Sequence, residues 1–348
     1  MDKTSVGMVQ KRFLVLIFWL ITIRISAQIG GETTYQFLTL TNSARVASLG
    51  GIQVAINDSA DLNLPFYNPA LLREAMAGQL LVSYVNYMTD INYGYASYAA
   101  SFAKYGNVAV GMHYVNYGDF IDADENGVIS GNHFKAGEYA LNLIWSNQWR
   151  KWRFGVNLKP VFSVFESYRS FGVAADAGVA WFSSNNLTTL GFVARNFGSQ
   201  FTTYYENGIR EPLPFDLMAG ISQKLAYAPV VFSVTANHLN HWDLANLDED
   251  EIPGEFVIEP QESFAKQFMR HLLLGMEVLP SRSFTLRAGY NYHLRQELKL
   301  DQKLSTVGFS LGFGVKIKRF RLDYSTTRYH LAGSSNLVSL GVNLNRNF

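Results

Sequence analysis

The sequence predicts an all-β fold: a transmembrane antiparallel up-and-down β-barrel of about 14 strands, with an N-terminal plug segment. Three observations carry this. Apolar and polar residues alternate with a period of two over most of the chain after residue 78, as they do in a strand whose successive side chains point to opposite faces. The alternating runs are roughly 10 to 13 residues long, longer than the ~5–6 residues usual in soluble strands and suited to crossing a bilayer at a tilt. The last residues, Leu337 to Phe348, alternate to the end and stop at an aromatic. Val338, Leu340, Val342, Leu344 and Phe348 share one face, interrupted only by Arg346, and the other face is small or polar after Leu337.

Composition agrees. Only 16% of the 348 residues are charged while 14% are aromatic, and mean hydropathy is zero, so apolar side chains are dispersed by alternation rather than gathered in long spans. With no cysteine, a disulfide framework, a thiolate nucleophile, a cysteine zinc site and a lipidated N-terminal cysteine are all excluded.

In chain order, residues 1–27 read as a secretory signal peptide. Lys11 and Arg12 precede an apolar run from Phe13 to Ile23, and Ile25-Ser26-Ala27 offers a cleavage site before Gln28. That run is too short to span a bilayer as a helix. Without it the formal charge falls from +1 to −2, leaving no basic excess to argue for nucleic acid.

Residues 28–78 do not alternate and are assigned as a plug or hatch. Gly50-Gly51 allows positive φ or close approach to a wall, and Asn68-Pro69 marks a turn before Ala70-Leu71-Leu72. Residues 79–348 form the barrel. Its strands are expected near 79–88, 92–103, 107–117, 135–147, 152–165, 170–182, 188–197, 213–225, 229–239, 268–279, 283–294, 304–317, 319–329 and 337–348. In the fifth, Phe154, Val156, Leu158, Pro160, Phe162 and Val164 face outward, and the inward set is polar or small except for Val161. Every even-numbered connection is then a short turn. The long stretches near 118–134, 198–212 and 240–267 all fall in odd slots, as a barrel with short turns at one end requires. Tyr114, Tyr117, Trp145, Trp149, Trp152, Trp181, Tyr290, Tyr292, Tyr324 and Tyr329 are candidates for interfacial girdles.

The inward positions carry Glu138, Arg153, Lys159, Asp176, Glu277, Arg287, Arg319, Arg321 and Asp323. Their mixed sign favours mutual pairing, and pairing with the plug and water, over a charge-selective channel. Asp122-x-Asp124-x-Asn126-Gly127 matches half a calcium loop, but His133 stands where the bidentate acid belongs, so an ordinary turn is preferred. His238-x-x-His241 lacks a third ligand. No catalytic or nucleotide-binding motif is present, and neither an enzymatic activity nor a cofactor or metal is expected. The 240–267 loop sets Trp242 and Phe256 among Asp248, Glu249, Asp250 and Glu251. It reads either as solvated acid or as a partner-docking surface with aromatic anchors.

Gly30-Gly31, Tyr35-x-Phe37-Leu38, Ser43-Ala44-Arg45, Leu49-Gly50-Gly51 and Asn68-Pro69-Ala70 together resemble the start of the PorQ family, outer-membrane components of the type IX secretion system. Asn-Pro-Ala is shared more widely with fatty-acid-transporter-like barrels, including PorV proteins. The specific likeness covers about forty residues. It implies a non-enzymatic outer-membrane barrel holding a surface protein of the sortase-containing attachment complex through its external loops. The broader likeness implies a channel for hydrophobic small molecules. The terminal Phe348 is similar to the signal read by the outer-membrane assembly machinery. The expected partners are thus outer-membrane lipid, that machinery and the surface protein.

Overall fold

The computed structural model describes residues 33–87, 91–102, 104–123, 129–206, 208–244, 263–297, 307–330 and 333–345. Fourteen strands follow in order: β1 (Gln79–Asn86), β2 (Asn92–Phe102), β3 (Gly106–Ala123), β4 (Ile129–Trp149), β5 (Trp152–Phe165), β6 (Tyr168–Phe182), β7 (Thr188–Thr202), β8 (Asp216–Lys224), β9 (Val230–Ala236), β10 (Leu272–Val278), β11 (Phe284–Asn291), β12 (Phe309–Ile317), β13 (Phe320–His330) and β14 (Gly333–Asn343). Each pairs antiparallel with its sequence neighbours, and β1 closes on β14 with Leu81 opposite Gly341 and Ser83 opposite Ser339. Closure leaves no sheet edge facing lipid, where unpaired backbone groups are costly.

The alternation read from the sequence is the alternation of wall and lumen. Along β5, Phe154, Val156, Leu158 and Phe162 are exposed, while Gly155, Asn157, Lys159, Val161 and Ser163 are buried. On β14, Val338 and Leu340 are exposed, and Leu337 and Ser339 are buried. All six connections between an even-numbered strand and the next are short and lie at the end where β1 begins and β14 finishes. The opposite end carries the longer connections at 203–215, 237–271 and 292–308.

Several expectations are corrected. Much of the stretch 118–134 is a paired extension of β3 and β4, with Phe120 opposite Phe134. Residues 268–271 do not begin a strand. They close the helix α3 (Phe264–Arg270), because β9 ends at Ala236 opposite Leu272 and offers no ladder further out. For the same reason Tyr292 opens the helix α4 (Tyr292–Glu297) once β10 has run out opposite Asn291. Tyr117 is no girdle residue, since its ring packs on Phe165 and its hydroxyl donates to Glu138 Oε2 at 2.6 Å. Trp145, Trp149 and Trp152 are exposed, as a girdle requires. The signal peptide, the second half of the calcium-like motif and Phe348 lie outside the described residues.

The segment from Thr34 to Gly78 lies inside the barrel. It consists of short turns of helix, Gln36–Thr39, α1 (Ala44–Ala47), α2 (Leu64–Tyr67), Pro69–Leu71 and Glu74–Met76, joined by extended pieces; in the numbering used here α1 and α2 are the plug helices. Phe37, Leu38, Val46, Leu49, Phe66, Tyr67 and Leu71 are almost fully buried against wall residues such as Tyr93, Tyr95, Ile144 and Val161. Val161, the apolar exception on the lumenal face of β5, sits in the same cluster as Tyr35 and Phe37.

Leu340 lies opposite Val82 of β1 and Leu322 of β13, all on the outer face. Leu340→Arg should therefore lower the unfolding free energy in phospholipid by about 2–4 kcal/mol if the site lies near the bilayer midplane. Urea titration checks this, and an unchanged midpoint would place that face away from lipid.

Candidate functional site

The site built most elaborately is the seat of the plug. Backbone can approach a sheet closely only where the wall has no side chain, and the wall supplies glycine at those points. On one side Gly155 of β5, Gly178 of β6 and Gly191 of β7 receive Asn68-Pro69-Ala70 and Val54. A Cβ at these positions would overlap the Pro69 backbone, Asn68 Oδ1 and the Val54 carbonyl respectively. Gly155 and Gly178 are direct partners in the ladder. On the other side Gly289 of β11 and Gly312 of β12 receive Leu49-Gly50 and Ser48. Gly50 and Gly51 turn the chain there with φ of 99° and 107°, which a side chain would strain.

Hydrogen bonds fix the same contacts. Asn68 Nδ2 donates to Val54 O at 2.8 Å, and its Oδ1 accepts from Ala70 N at 3.1 Å. Ser43 caps α1, its hydroxyl accepting from Val46 N at 3.3 Å, as N-cap serines do. Ala44 N donates to Ser339 Oγ of β14 at 3.0 Å, and Gly50 N to Ser310 Oγ of β12 at 3.1 Å.

Arg45 centres a closed ring of charges. Its guanidinium forks onto Glu277 of β10, with Nε to Oε1 at 2.9 Å and Nη2 to Oε2 at 2.7 Å. Its Nη1 reaches Asp58 at 2.6 Å and Asp61 at 3.0 Å within the plug. Glu277 also takes Arg287 Nε at 2.8 Å, and Arg287 passes to Asp323 at 2.7 Å. Asp323 binds Arg321 Nε at 2.7 Å, and Arg321 returns to Asp58 at 2.9 Å. Three cations and four carboxylates thus join α1 and the 58–61 turn to β10, β11 and β13. Burial works against the charge on Arg45, but Glu277, Asp58 and Asp61 outweigh it and hold its pKa above the ordinary value. Burial also raises Asp58 and Asp61, yet Arg321 and Arg45 pull both below the ordinary 3.8. At the short-turn end, burial and the nearby Arg153 lower Arg73 to about 10.

A second polar cluster sits across the lumen. Lys159 Nζ pairs with Asp176 Oδ1 at 2.7 Å and donates to Asn196 Oδ1 at 2.5 Å. Arg195 is buried with its guanidinium over the rings of Phe66 at 5.3 Å and Tyr67 at 5.7 Å, a cation–π arrangement. Sequence reading did not single out Arg195. Its odd position in the β7 alternation, shared with lumenal Thr189, Gly191 and Val193, was the available signal.

Of the motif residues, Ala44, Arg45, Gly50, Asn68, Pro69 and Ala70 meet the wall, whereas Ser43 caps α1 and Gly51 turns the chain within the plug. Trp242, the first residue of the candidate docking loop, is 45% exposed and stacks between Phe264 and His271, each at 5.1 Å. Asp248, Glu249, Asp250, Glu251 and Phe256 lie outside the described residues. His238 Nδ1 stands 3.4 Å from Asp216 Oδ2, and among the described residues no cluster of three or more ligands is arranged for a metal. Of the other inward charges, Glu138 accepts from the Tyr117 hydroxyl and Arg153 donates to Leu72 O and Gln148 Oε1.

The chain matches no protein-family model and no curated protein. Its fold matches the crystal structure of the P. putida toluene transporter TodX, with a TM-score of 0.54 at 13% identity over 88% of this chain and 100% of that one. It also matches a deltaS2S3 mutant of TodX, a monoaromatic hydrocarbon channel, with a TM-score of 0.53 at 14% identity over 87% and 99%. The closed fourteen-strand antiparallel barrel is the fold that this chain shares with these two structures. At such identities the likeness concerns the fold alone, and both neighbours are described as transport proteins rather than enzymes.

Arg45→Met strands Asp58, Asp61 and Glu277 with fewer partners, and should loosen the plug by about 3–5 kcal/mol. Limited proteolysis would then cut within residues 33–78 while the barrel resists. Gly178→Val should unseat Asn68 with the same proteolytic signature, and an uncut plug would contradict the seating. For pH the sign follows from the depressed aspartates: their contribution is complete above the ordinary value of 3.8 and is lost as pH falls toward their lower folded values. Plug protection should be flat from pH 7 to about 4 and decline only below.

Proposed function

We propose that the chain is a non-enzymatic outer-membrane barrel of type IX protein secretion, serving as a membrane anchor whose long-loop end docks a surface protein of the attachment complex. The observation that carries this is the lock between plug and wall. A lumen filled by backbone seated on glycine and tied by seven buried or half-buried charges suits a rigid anchor better than an open conduit. Several of the motif residues that resemble the PorQ family, Ala44, Arg45, Gly50, Asn68, Pro69 and Ala70, take part in this lock. Trp242 and Phe264, both exposed and stacked at 5.1 Å, supply aromatic anchors of the kind that dominate interface energies, and the sequence between them carries the acids at 248–251.

A second reading rests on a separate observation. The neighbours in fold are described as a toluene transporter and a monoaromatic hydrocarbon channel. That likeness favours a channel for hydrophobic small molecules and carries nothing on secretion. On this reading the plug must shift, or open a lateral path through the wall, before a ligand can pass.

Deletion of the gene separates the two readings. Loss of surface display of secreted proteins with normal uptake of long-chain fatty acids and toluene supports the anchor. Normal display with reduced uptake overturns it in favour of the channel. Affinity purification from detergent-solubilised membranes should recover a large surface protein with the barrel, and Trp242→Ala should reduce that recovery.

A further inference from the structure

At the long-loop mouth, the turn between β5 and β6 and the loop after β7 bring four aromatic rings around one cleft. Phe165, Tyr168, Tyr204 and Tyr205 enclose about 220 Å³. The rings do not cover one another: Tyr168 and Tyr205 meet at 4.9 Å and 54°, Phe165 and Tyr204 at 5.8 Å and 65°. Phe165 is packed by Tyr117 as well, at 5.5 Å, so the open faces are those of Tyr168 and Tyr205. Tyr205 is 65% exposed and Tyr168 40%, much for aromatic residues packed into a barrel mouth.

The polar groups are equally particular. Tyr204 is held in place, its hydroxyl donating to Ser163 Oγ at 2.7 Å, and burial pushes its pKa up to about 12, so it remains a phenol. Tyr168 and Tyr205 have no hydrogen-bond partner for their hydroxyls among the described residues. The sequence flanking the cleft carries Glu166, Arg169, Glu206, Arg210 and Glu211, all exposed. Such a site offers two open aromatic faces and free hydroxyls, with flanking charges of both signs. That is complementary to a neutral pyranose, which has an apolar face of C–H groups and an equatorial rim of hydroxyls. A plain hydrocarbon would make no use of the free phenols.

We propose that this cleft binds a sugar ring of a surface glycan, either the carbohydrate of outer-leaflet lipid or that of a glycosylated partner. The inference stands apart from both functional readings, because it needs neither an open lumen nor the acidic loop.

The test is saturation-transfer NMR on the full barrel in detergent micelles, using two probes: the core oligosaccharide released from lipopolysaccharide by mild acid, and maltotriose. Transfer to ring C–H protons of either probe supports the proposal. A response to the first alone identifies the lipid carbohydrate as the source, and a response to both identifies a general pyranose site. Tyr205→Ala should weaken binding about fivefold, the scale of one aromatic contact, and Tyr205→Phe should retain most of it. Tyr205 lies in an exposed loop, so its truncation leaves the barrel folded, and Tyr168→Ala serves as the second variant. No transfer to either sugar, transfer unchanged in both alanine variants, or transfer to toluene but to neither sugar would overturn the proposal.

Discussion

A guanidinium taken out of water must be paired, and Arg45 of the plug is paired both with Glu277 of the wall and with Asp58 and Asp61 of the plug itself. Its fork onto Glu277 would be of little value on a surface, where ion pairs contribute ~0–1 kcal/mol. In the lumen, removing either partner leaves a charge in a medium that solvates it poorly, so the two stay together. The rest of the structure follows from that necessity. Glu277 is held by Arg287, Arg287 by Asp323, Asp323 by Arg321, and Arg321 by the plug's own aspartates. Arg45 reaches Glu277 only when α1 sits where it does. The ring sets the position of the plug to within a hydrogen bond.

The glycines of the wall are the steric counterpart of that electrostatic lock. Charges decide where the plug sits; Gly155, Gly178, Gly191 and Gly289 allow its backbone to come that close. Gly155, Gly178 and Gly191 lie on β5 to β7, whereas Gly289 shares β10 to β13 with the charges. Between them the plug is held from both sides, with Phe66 and Tyr67 packed in the middle under Arg195. The machinery of the lumen is thereby separated from the long-loop mouth, where the exposed aromatics lie and where any partner or ligand arriving from outside meets the protein.

Much of the fold was legible before any coordinates. All fourteen strands fall within the segments marked by alternation, apart from extensions of β3, β4, β6, β7, β13 and β14, because the two-residue period is a local property of every strand. The ends were less legible. Where β10 and β12 begin depends on whether a neighbouring strand is still present to pair with, and that is information from residues far away in the chain. Tyr117 was misread for a related reason: near a strand end, a Tyr in alternation can serve a girdle or the lumen, and only the neighbouring Glu138 and Phe165 decide which.

The sequence by itself determined the barrel, the inward and outward faces and the plug as a segment apart, and it marked some of the plug residues that meet the wall, Arg45 and Asn68 among them, but not Asp58, Asp61 or Val54. It could not assign them work. Arg45 and Glu277 are 232 residues apart in the chain, and Ala44 and Ser339 are 295 apart. No local pattern encodes such a pairing, and the wall glycines read as small inward residues until the backbone of Asn68-Pro69 is placed against them. Tertiary structure alone decided that the motif is a lock between plug and wall. The reason is physical: closing a barrel brings distant inner-face residues into one small, poorly hydrated volume, where every charge and every backbone group must find its partner.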